Sequence, residues 1–380
     1  MTNVYLVEAV RTPIGRRKGL LSQVHPVNLA AEVLKETVRR AGVEPVAIED
    51  VVMGCVAQTG EQGANIGRLA VLQAGFPVEV SAVSVNRMCG SSQQALHFAA
   101  QAIAARDMDL VIAAGVESMT RVPLGSDWPA EWPRDFPYAL VSQGISAEMM
   151  AEKWGLSREE LDDFSLESHL RAARATSEAR FQREVMPLEV EFGSARQTVA
   201  VDEGIRFNPD RAKMAELKPA FKEDGVITAA NSSQISDGAA AVLLASQAAL
   251  DRYGLKARAR IVARSVVGAD PVLMLAGPIP ATAKVLKRAG LTQSDIALFE
   301  VNEAFASVVL AWQKETGVEF DRVNVNGGAI ALGHPIGCSG ARLMATLLHE
   351  LERRQGRYGL QTMCIGHGMA TATIIERLGQ

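Results

Sequence analysis

Three short segments hold the residues whose types and positions suit covalent chemistry. Cys89 lies between the apolar run "AVSVN" and the helix-like "SSQQALHF", His334 lies in the glycine-rich "NVNGGAIALGHPIGCSGAR", and Cys364 ends the apolar stretch of "LQTMCIGHG". Unpaired N–H groups at a helix N-terminus favour a thiolate, so the pattern predicts a lowered pKa for Cys89 and a role as nucleophile. The alternative is a buried structural cysteine, because free cysteine is among the most buried residue types.

The glycines around His334 allow the backbone to approach a ligand closely, and the imidazole could serve as a base. A purely structural glycine-rich turn is the alternative. The chain has no GxxxxGK[ST] pattern, which excludes a P-loop. Two cysteines and a histidine could also suggest zinc, but no close ligand spacing supports a metal site.

A fourth segment, "FEVNEAFAS", places polar side chains directly after an apolar strand. Asn302 and Glu303 stand there, where side chains can point into a cleft and hold a water or a carbonyl oxygen. The alternative for Asn302 is the N-cap of the following helix.

Composition excludes several classes of protein. The 380 residues are 48% hydrophobic with a net charge of −4, which indicates a globular chain and argues against a nucleic-acid partner. No apolar run approaches the ~18 residues of a membrane span, so no membrane is expected. The four cysteines form no CxxC pair, and with no recognisable targeting signal the expected location is cytoplasmic, with reduced thiols.

The order of helix and strand patterns repeats along the chain. Gly42 and Gly290 follow similar amphipathic helices, and the strand, turn, helix and strand around Cys89 have a counterpart in "RVNVN", the turn at His334, "GARLMATLLHELERR" and the strand of Cys364. The repeat predicts two related βαβ halves, with chance similarity of short α/β units as the alternative. We place the first half at 1–118 plus 239–254, an inserted loop domain at 119–238, and the second half at 255–380.

The four motifs "NRMCGSSQQAL", "NEAFA", "GGAIALGHPIGCSGAR" and "CIGHG", in this order, resemble the thiolase family of acyl-CoA acyltransferases. The resemblance covers essentially the whole chain. It implies an α/β fold in which two duplicated βαβ-type halves form α/β/α/β/α layers, with a loop domain inserted into the first half. It also implies a homodimer or homotetramer, and no permanently bound cofactor.

The resemblance assigns roles to the motif residues. Cys89 would take the acyl group as a thioester, and His334 with a water held by Asn302 would activate the incoming thiol and form one oxyanion site. Cys364 would protonate the departing carbanion, and the backbone N–H groups of Cys89 and Gly366 would form the second oxyanion site.

Coenzyme A, a substrate in this family, would bind to the segment "VDEGIRFNPDRAKMAELKPAF" and the following "TAANSS". Arg206 would meet the adenosine phosphates, with Lys213 and Lys218 as electrostatic helpers, or these could be ordinary solvated charges. The residues expected to line the pantetheine arm are Phe221, Ala229 and Ser233.

The sequence departs from the family pattern in three places. His367 and Ala370 stand where many members have glycine, so the turn after Gly366 is expected to differ in shape. "LVSQGIS" lacks the His-Met pair of short-chain biosynthetic thiolases, which favours a 3-oxoacyl-CoA thiolase over the alternative, an acetyl-CoA C-acetyltransferase. A non-catalytic acyl-CoA-binding homologue is a further alternative that needs none of the four motif side chains.

Overall fold

The structure, a computed structural model, describes residues 2–379. The strands in this part are β1 (Tyr5–Arg11), β2 (Gly15–Arg16), β3 (Asp50–Gly54), β4 (Ser81–Val85), β5 (Leu110–Ser118), β6 (Leu188–Phe192), β7 (Ala195–Val199), β8 (Ser236–Ala245), β9 (Ala259–Gly268), β10 (Ile296–Val301), β11 (Tyr358–Ile365) and β12 (Met369–Arg377). The helices are α1 (Pro26–Ala41), α2 (Ile66–Gln73), α3 (Ser91–Ala105), α4 (Gln143–Lys153), α5 (Arg158–Ser177), α6 (Arg211–Ala215), α7 (Gln247–Tyr253), α8 (Pro278–Ala289), α9 (Ala306–Thr316), α10 (Ala329–Leu332) and α11 (Ser339–Arg354).

The strands of the two halves join into one mixed sheet in the order β10-β11-β12-β9-β1-β8-β5-β3-β4, with the short β2 beside β8. The link between the halves is short: β1 pairs with β9 only at Tyr5 with Arg260 and Leu6 with Ala259. The first half therefore holds β1, β3, β4, β5 and β8, and the second half holds β9 to β12.

Five layers follow from the packing of the helices. Helices α1 and α2 cover the outer face of the first half, and α8 and α9 cover that of the second. Helices α3 and α11 lie between the halves and share one apolar core with strands of both. They approach closely at Gly340, where an added Cβ would lie 2.2 Å from the backbone nitrogen of Gln93. The predicted α/β/α/β/α arrangement is confirmed.

The repeated helix ends have the same geometry in both halves. Helix α1 ends at Gly42 with φ +68°, and α8 ends at Gly290 with φ +67°. Left-handed backbone of this kind favours glycine, which explains the two matching stop signals.

One predicted strand is wrong. The segment "RVNVN" forms only isolated bridges, at Val323 and Val325, and no strand equivalent to β4. Asn324 has φ +46°, and its side-chain amide exchanges two hydrogen bonds of 2.8 Å with the backbone of Val301. The asparagine side chain thus takes the place of strand pairing at that edge.

The inserted segment contains α4, α5, the hairpin β6–β7 and α6, and a long loop, residues 119–142, precedes α4. The chain returns to the sheet at Ser236, where β8 begins. The fully buried Arg11 of β1 anchors the insertion, because its guanidinium donates at 2.7 Å both to Glu184 and to Asp202.

None of the helices within residues 2–379 is long and apolar enough to cross a membrane. In the same residues no group of three or more histidine, cysteine, aspartate or glutamate side chains is arranged to hold a metal ion.

Candidate functional site

Cys89 lies at the turn between β4 and α3, two residues before the helix begins at Ser91. The preceding residue, Met88, has φ +46°, a strained conformation for a side chain other than glycine that turns the chain sharply into the helix. Cys89 is 4% exposed and faces a cavity. The turn therefore presents the sulfur to the cavity while keeping it out of bulk water.

The predicted lowering of the Cys89 pKa is wrong. Burial raises the pKa of this thiol, although hydrogen bonds from Gln143, from the Gly366 N–H and from its own N–H act in the opposite direction. The Gln143 amide nitrogen lies 4.0 Å from the sulfur. Desolvation of the thiolate outweighs the donors at the start of α3, so the resting side chain is a thiol.

Gly366 lies at the turn between β11 and β12, with its N–H directed at the Cys89 sulfur. The N–H of Cys89 itself is the second donor. Two backbone donors thus converge where an oxygen bonded to the acyl carbon of a Cys89 thioester would lie, which is the arrangement of an oxyanion hole.

His334 is 4% exposed and is held by Ser339, whose Oγ lies 2.6 Å from Nδ1. The Ser339 hydroxyl donates to the Pro335 carbonyl oxygen at 2.9 Å, so Nδ1 must donate to Ser339 and Nε2 carries the lone pair. Burial, with a smaller contribution from Arg342, lowers the pKa of His334 to about 3. The imidazole is therefore neutral and able to accept a proton at Nε2.

Asn302 contacts His334 directly: its Nδ2 lies 3.3 Å from Nε2. It is fully buried, and its Oδ1 has no partner among residues 2–379. A buried amide oxygen without a partner is a position at which a water would be bound. The neighbouring Glu303 accepts hydrogen bonds from Ser168 and Asn324, which makes it a structural anchor of this segment.

Cys364 is fully buried in β11 and packs in an apolar cluster with Met274 and Ala147. Burial raises its pKa far above the usual range, and the nearby Cys89 raises it further. The two thiols are thus close, as expected if the ends of β4 and β11 converge. Cys55 and Cys338 are fully buried in the cores.

A cavity of about 480 Å³ opens beside Cys89. Gly366 and Gln143 line it next to the sulfur, and His334 lines it as well. The remainder is mainly apolar, including Val56, Met119, Leu124, Trp128, Met274, Phe305 and Ile336. A mostly apolar chamber with a few polar groups around one sulfur suits a thioester with a hydrocarbon acyl group.

The predicted coenzyme A residues fall into two neighbouring cavities. Phe221 and Ser233 line the large cavity, whereas Arg206 and Ala229 line a small one of about 80 Å³, and Gln234 borders both. Arg206 forms no ion pair within residues 2–379, so its charge is available to an anion. Lys213 is 81% exposed and pairs with Asp210, and Lys218 is also exposed.

Phe221 lies over Gly144 at the start of α4. A Cβ on Gly144 would lie 2.1 Å from its ring, and the ring packs edge-on to Phe305 at 6.0 Å. Phe221 and Phe305 both line the large cavity, as does Ser233.

The comparisons with known proteins agree with this geometry. Residues 4–248 match the family description "Thiolase, N-terminal domain", and residues 255–377 match "Thiolase, C-terminal domain". The chain belongs to the thiolase family.

Its relatives include the steroid 3-ketoacyl-CoA thiolase FadA6 of Mycobacterium tuberculosis, 48% identical over all of this chain and 95% of that protein. A 3-ketoacyl-CoA thiolase of Vibrio cholerae is 46% identical over 99% of this chain and 100% of that protein. The crystal structure of the Bacillus anthracis acetyl-CoA acetyltransferase superposes with a TM-score of 0.93 at 38% identity, covering 100% of this thiolase and 99% of that chain.

Sequence reasoning missed three residues of this thiolase site. Gln143 follows the proline-rich loop and gave no local signal, although it occupies the segment where a His-Met pair was noted as absent. Ser339 lies five residues after His334 and four after Pro335. Four residues are about one helical turn, so the spacing could have indicated that its hydroxyl contacts this segment. Glu117 gave no signal, because its role depends on loops that meet only in the fold.

Glu117 lies next to last in the fully buried strand β5 and links the two halves beside the site. Its carboxylate accepts hydrogen bonds from the backbone N–H groups of Val56, Ala57 and Gly337 at 2.9–3.1 Å and from the Gln62 amide at 2.7 Å. Burial raises the pKa of Glu117, and these four donors lower it. The contact at Gly337 fixes the turn that follows His334.

Proposed function

We propose that this thiolase cleaves 3-oxoacyl-CoA with coenzyme A, releasing acetyl-CoA and a shortened acyl-CoA by way of an acyl-Cys89 thioester. The observation that carries the proposal is that Cys89, neutral His334 and Gly366 line one apolar cavity, while the fully buried Cys364 thiol lies near Cys89 without lining that cavity. The names of the Mycobacterium and Vibrio relatives support the same reaction.

In the first half-reaction the Cys89 sulfur attacks the C3 ketone carbon and its proton passes to Nε2 of His334. The C2–C3 bond then breaks, and its electron pair forms the enolate of acetyl-CoA. The Cys364 thiol protonates C2, and acetyl-CoA leaves. The proton on His334 returns to the Cys364 thiolate, so the acyl-enzyme begins the next step with neutral groups.

In the second half-reaction the coenzyme A thiol gives its proton to His334 and attacks the thioester carbon. The bond to Cys89 breaks, and the leaving sulfur takes the proton back from His334. Each half-reaction places negative charge on a carbonyl oxygen, which the N–H groups of Cys89 and Gly366, or the protonated Nε2 with a water on Asn302, would stabilise.

The electrostatics support this division of roles. The raised pKa of Cys364 keeps it protonated and therefore able to act as an acid, and the lowered pKa of His334 keeps it unprotonated and therefore able to act as a base.

For coenzyme A, we propose that the pantetheine arm passes Phe221 and Ser233 and that the phosphates meet the unpaired Arg206. Ala229 borders the small cavity between them. No permanently bound cofactor enters this reaction.

The experiment is coenzyme-A-dependent cleavage of 3-oxoacyl-CoA substrates of increasing length, followed by acetyl-CoA release. Cys89→Ala is expected to abolish both half-reactions. Cys364→Ala is expected to form the acyl-enzyme slowly from an acyl-CoA while carbon–carbon cleavage falls by at least about 100-fold, the usual range for loss of an acid or base. Ordinary turnover by Cys89→Ala would overturn the proposal.

The second candidate is an acetyl-CoA C-acetyltransferase that makes or cleaves acetoacetyl-CoA. The high structural similarity to the Bacillus anthracis acetyl-CoA acetyltransferase favours it. Activity confined to acetoacetyl-CoA would select this candidate, and no activity on any chain length would select a non-catalytic acyl-CoA-binding role.

We further propose that this thiolase is a homodimer or homotetramer. Within residues 2–379, strand β4 is an edge of the sheet and no strand pairs with its outer side, and Val83 on it is 44% exposed. Phe98 on the adjacent α3 is 42% exposed. An open, apolar strand edge favours pairing with another chain. The cytoplasmic location stays a prediction from the sequence.

A further inference from the structure

The turn between β11 and β12 contains a histidine in a conformation that favours glycine. His367 has φ +62° and is followed by Gly368 with φ +75°. A left-handed conformation costs a side chain of this type about 1 kcal/mol, so other contacts must hold it there. Gly366, the preceding residue, directs its N–H at the Cys89 sulfur.

The contacts of His367 come from the loop of residues 119–142. Its ring lies 5.8 Å from Trp132 in an edge-on arrangement and 6.2 Å from Trp128. Trp132 continues the series to Phe136 at 5.4 Å, and Phe136 continues it to Tyr138 at 6.2 Å. His367 thus connects this row of aromatic side chains to the turn between β11 and β12, which also contains the Gly366 N–H.

Two of these rings form part of the wall of the cavity. Leu124, Trp128 and His367 line the cavity together with Cys89, whereas Trp132 contacts His367 without lining it. Trp128 and Trp132 are 50% and 44% exposed. This part of the wall is therefore partly open to solvent, and His367 supports it from the turn between β11 and β12.

We propose that His367 is a specificity-determining residue: held against Trp128 and Trp132, its ring makes this part of the cavity wall rigid and aromatic, which favours ring-bearing 3-oxoacyl groups over linear ones. A ring gains edge or face contacts with aromatic neighbours and loses few rotatable bonds on binding. A linear chain with as many carbons must order every bond along the same wall. This inference rests on the proposed thiolytic activity.

The test compares two substrates with eleven acyl carbons each, 3-oxo-5-phenylpentanoyl-CoA and 3-oxoundecanoyl-CoA. We expect the wild-type enzyme to have the higher kcat/KM on the phenyl substrate. In His367→Gly, which suits the φ of this position, the ratio of the two kcat/KM values should fall about tenfold, the size of one or two lost aromatic contacts.

Trp132→Ala tests whether the packing of His367 matters apart from any direct contact with substrate, because Trp132 contacts His367 but does not line the cavity. It should lower the ratio in the wild-type background and have no further effect in the His367→Gly background, since it acts through His367. Tyr138→Ala is the matched control: this aromatic residue of the same loop contacts neither His367 nor the cavity, so the ratio should stay at the wild-type value.

The outcomes are distinct. An unchanged ratio in His367→Gly, or equal effects of Trp132→Ala in both backgrounds, overturns the role of His367. A wild-type enzyme that cleaves both substrates without preferring the ring also overturns this inference but leaves the thiolase activity intact. A wild-type enzyme that cleaves no 3-oxoacyl-CoA overturns both.

Discussion

At the scale of single residues, Cys89 and His334 line the same cavity and are both neutral in the resting enzyme. Burial raises the pKa of the thiol and lowers that of the imidazole to about 3, so the transfer of a proton between them is unfavourable until substrate is bound. Charge then develops where the Gly366 and Cys89 N–H groups can stabilise it. The buried site thus avoids a permanent thiolate and imidazolium.

The state of Cys89 can be measured by alkylation. Because its pKa is raised and His334 carries no charge, the rate of inactivation by iodoacetamide should rise about tenfold per pH unit between pH 6 and 8, following the thiolate fraction below the pKa. Quantifying the label on Cys89 by peptide mass spectrometry identifies the site, with Cys89→Ala as control. A rate that is constant above pH 6 would indicate a thiolate–imidazolium pair instead.

Ser339 is expected to act by positioning His334. Ser339→Ala removes the acceptor of the Nδ1–H and leaves the tautomer free, so kcat should fall about tenfold while KM changes little, a loss of roughly one hydrogen bond. Ser307→Ala is the matched control, because the buried Ser307 hydroxyl has no partner within residues 2–379. A kcat for Ser339→Ala within twofold of the wild-type value would contradict this role.

The local patterns around Cys89, His334 and Asn302 left structural alternatives open, and it was the resemblance of the four motifs to the thiolase family that predicted a shared site for these residues and Cys364. The sequence was not sufficient to predict that the pKa of Cys89 is raised. The start of a helix, which lowers the pKa of a thiol, can be predicted from the local sequence, but the burial that raises it comes from strands and loops distant in sequence. The contact of Gln143 with the sulfur depends on the same long-range packing.

At the scale of elements, the site depends on turns held by buried polar groups. Glu117 at the end of β5 ties the loop after β3 to Gly337 of the other half, so one side chain aligns segments that the two halves contribute separately. The wrongly predicted strand at 322–326 has a related cause: the Asn324 side chain provides the hydrogen bonds that a strand would have made. The periodicity of apolar residues predicts strands, but it does not show where a side chain makes the hydrogen bonds of a missing strand.

Glu117→Gln should lower the free energy of unfolding by about 3 kcal/mol. The amide places a donor among four N–H donors and removes charge-assisted hydrogen bonds, and both effects are costly when buried. Urea denaturation measures the change. Glu61→Gln, which breaks a partly exposed ion pair with Arg121, is the control and should cost less than about 1 kcal/mol. A similar loss in both variants would show that the Glu117 network does not brace the halves.

At the scale of the whole molecule, the duplication explains why the catalytic residues can converge. Each half directs the carboxyl end of a strand towards the middle layers, so Cys89 after β4 and Cys364 at the end of β11 meet although they are far apart in sequence. The repeat of helix ends at Gly42 and Gly290 made this arrangement predictable. The unequal edges were not predictable: within residues 2–379 the second half has no equivalent of β4, so its edge strand is β10, whereas β4 is the edge of the first half.

That open edge leads to a prediction about assembly. If two copies pair along β4, a lysine at position 83 would place like charges opposite each other across the new strand pair and would be desolvated there. Val83→Lys should therefore shift the sedimentation of the wild-type oligomer towards the mass of a smaller species. Val46→Lys adds the same charge at a valine that is 70% exposed in the turn before β3, and it should leave the assembly intact. If Val83→Lys sediments as the wild type does, the subunits associate through another surface and the β4 edge stays exposed in the oligomer.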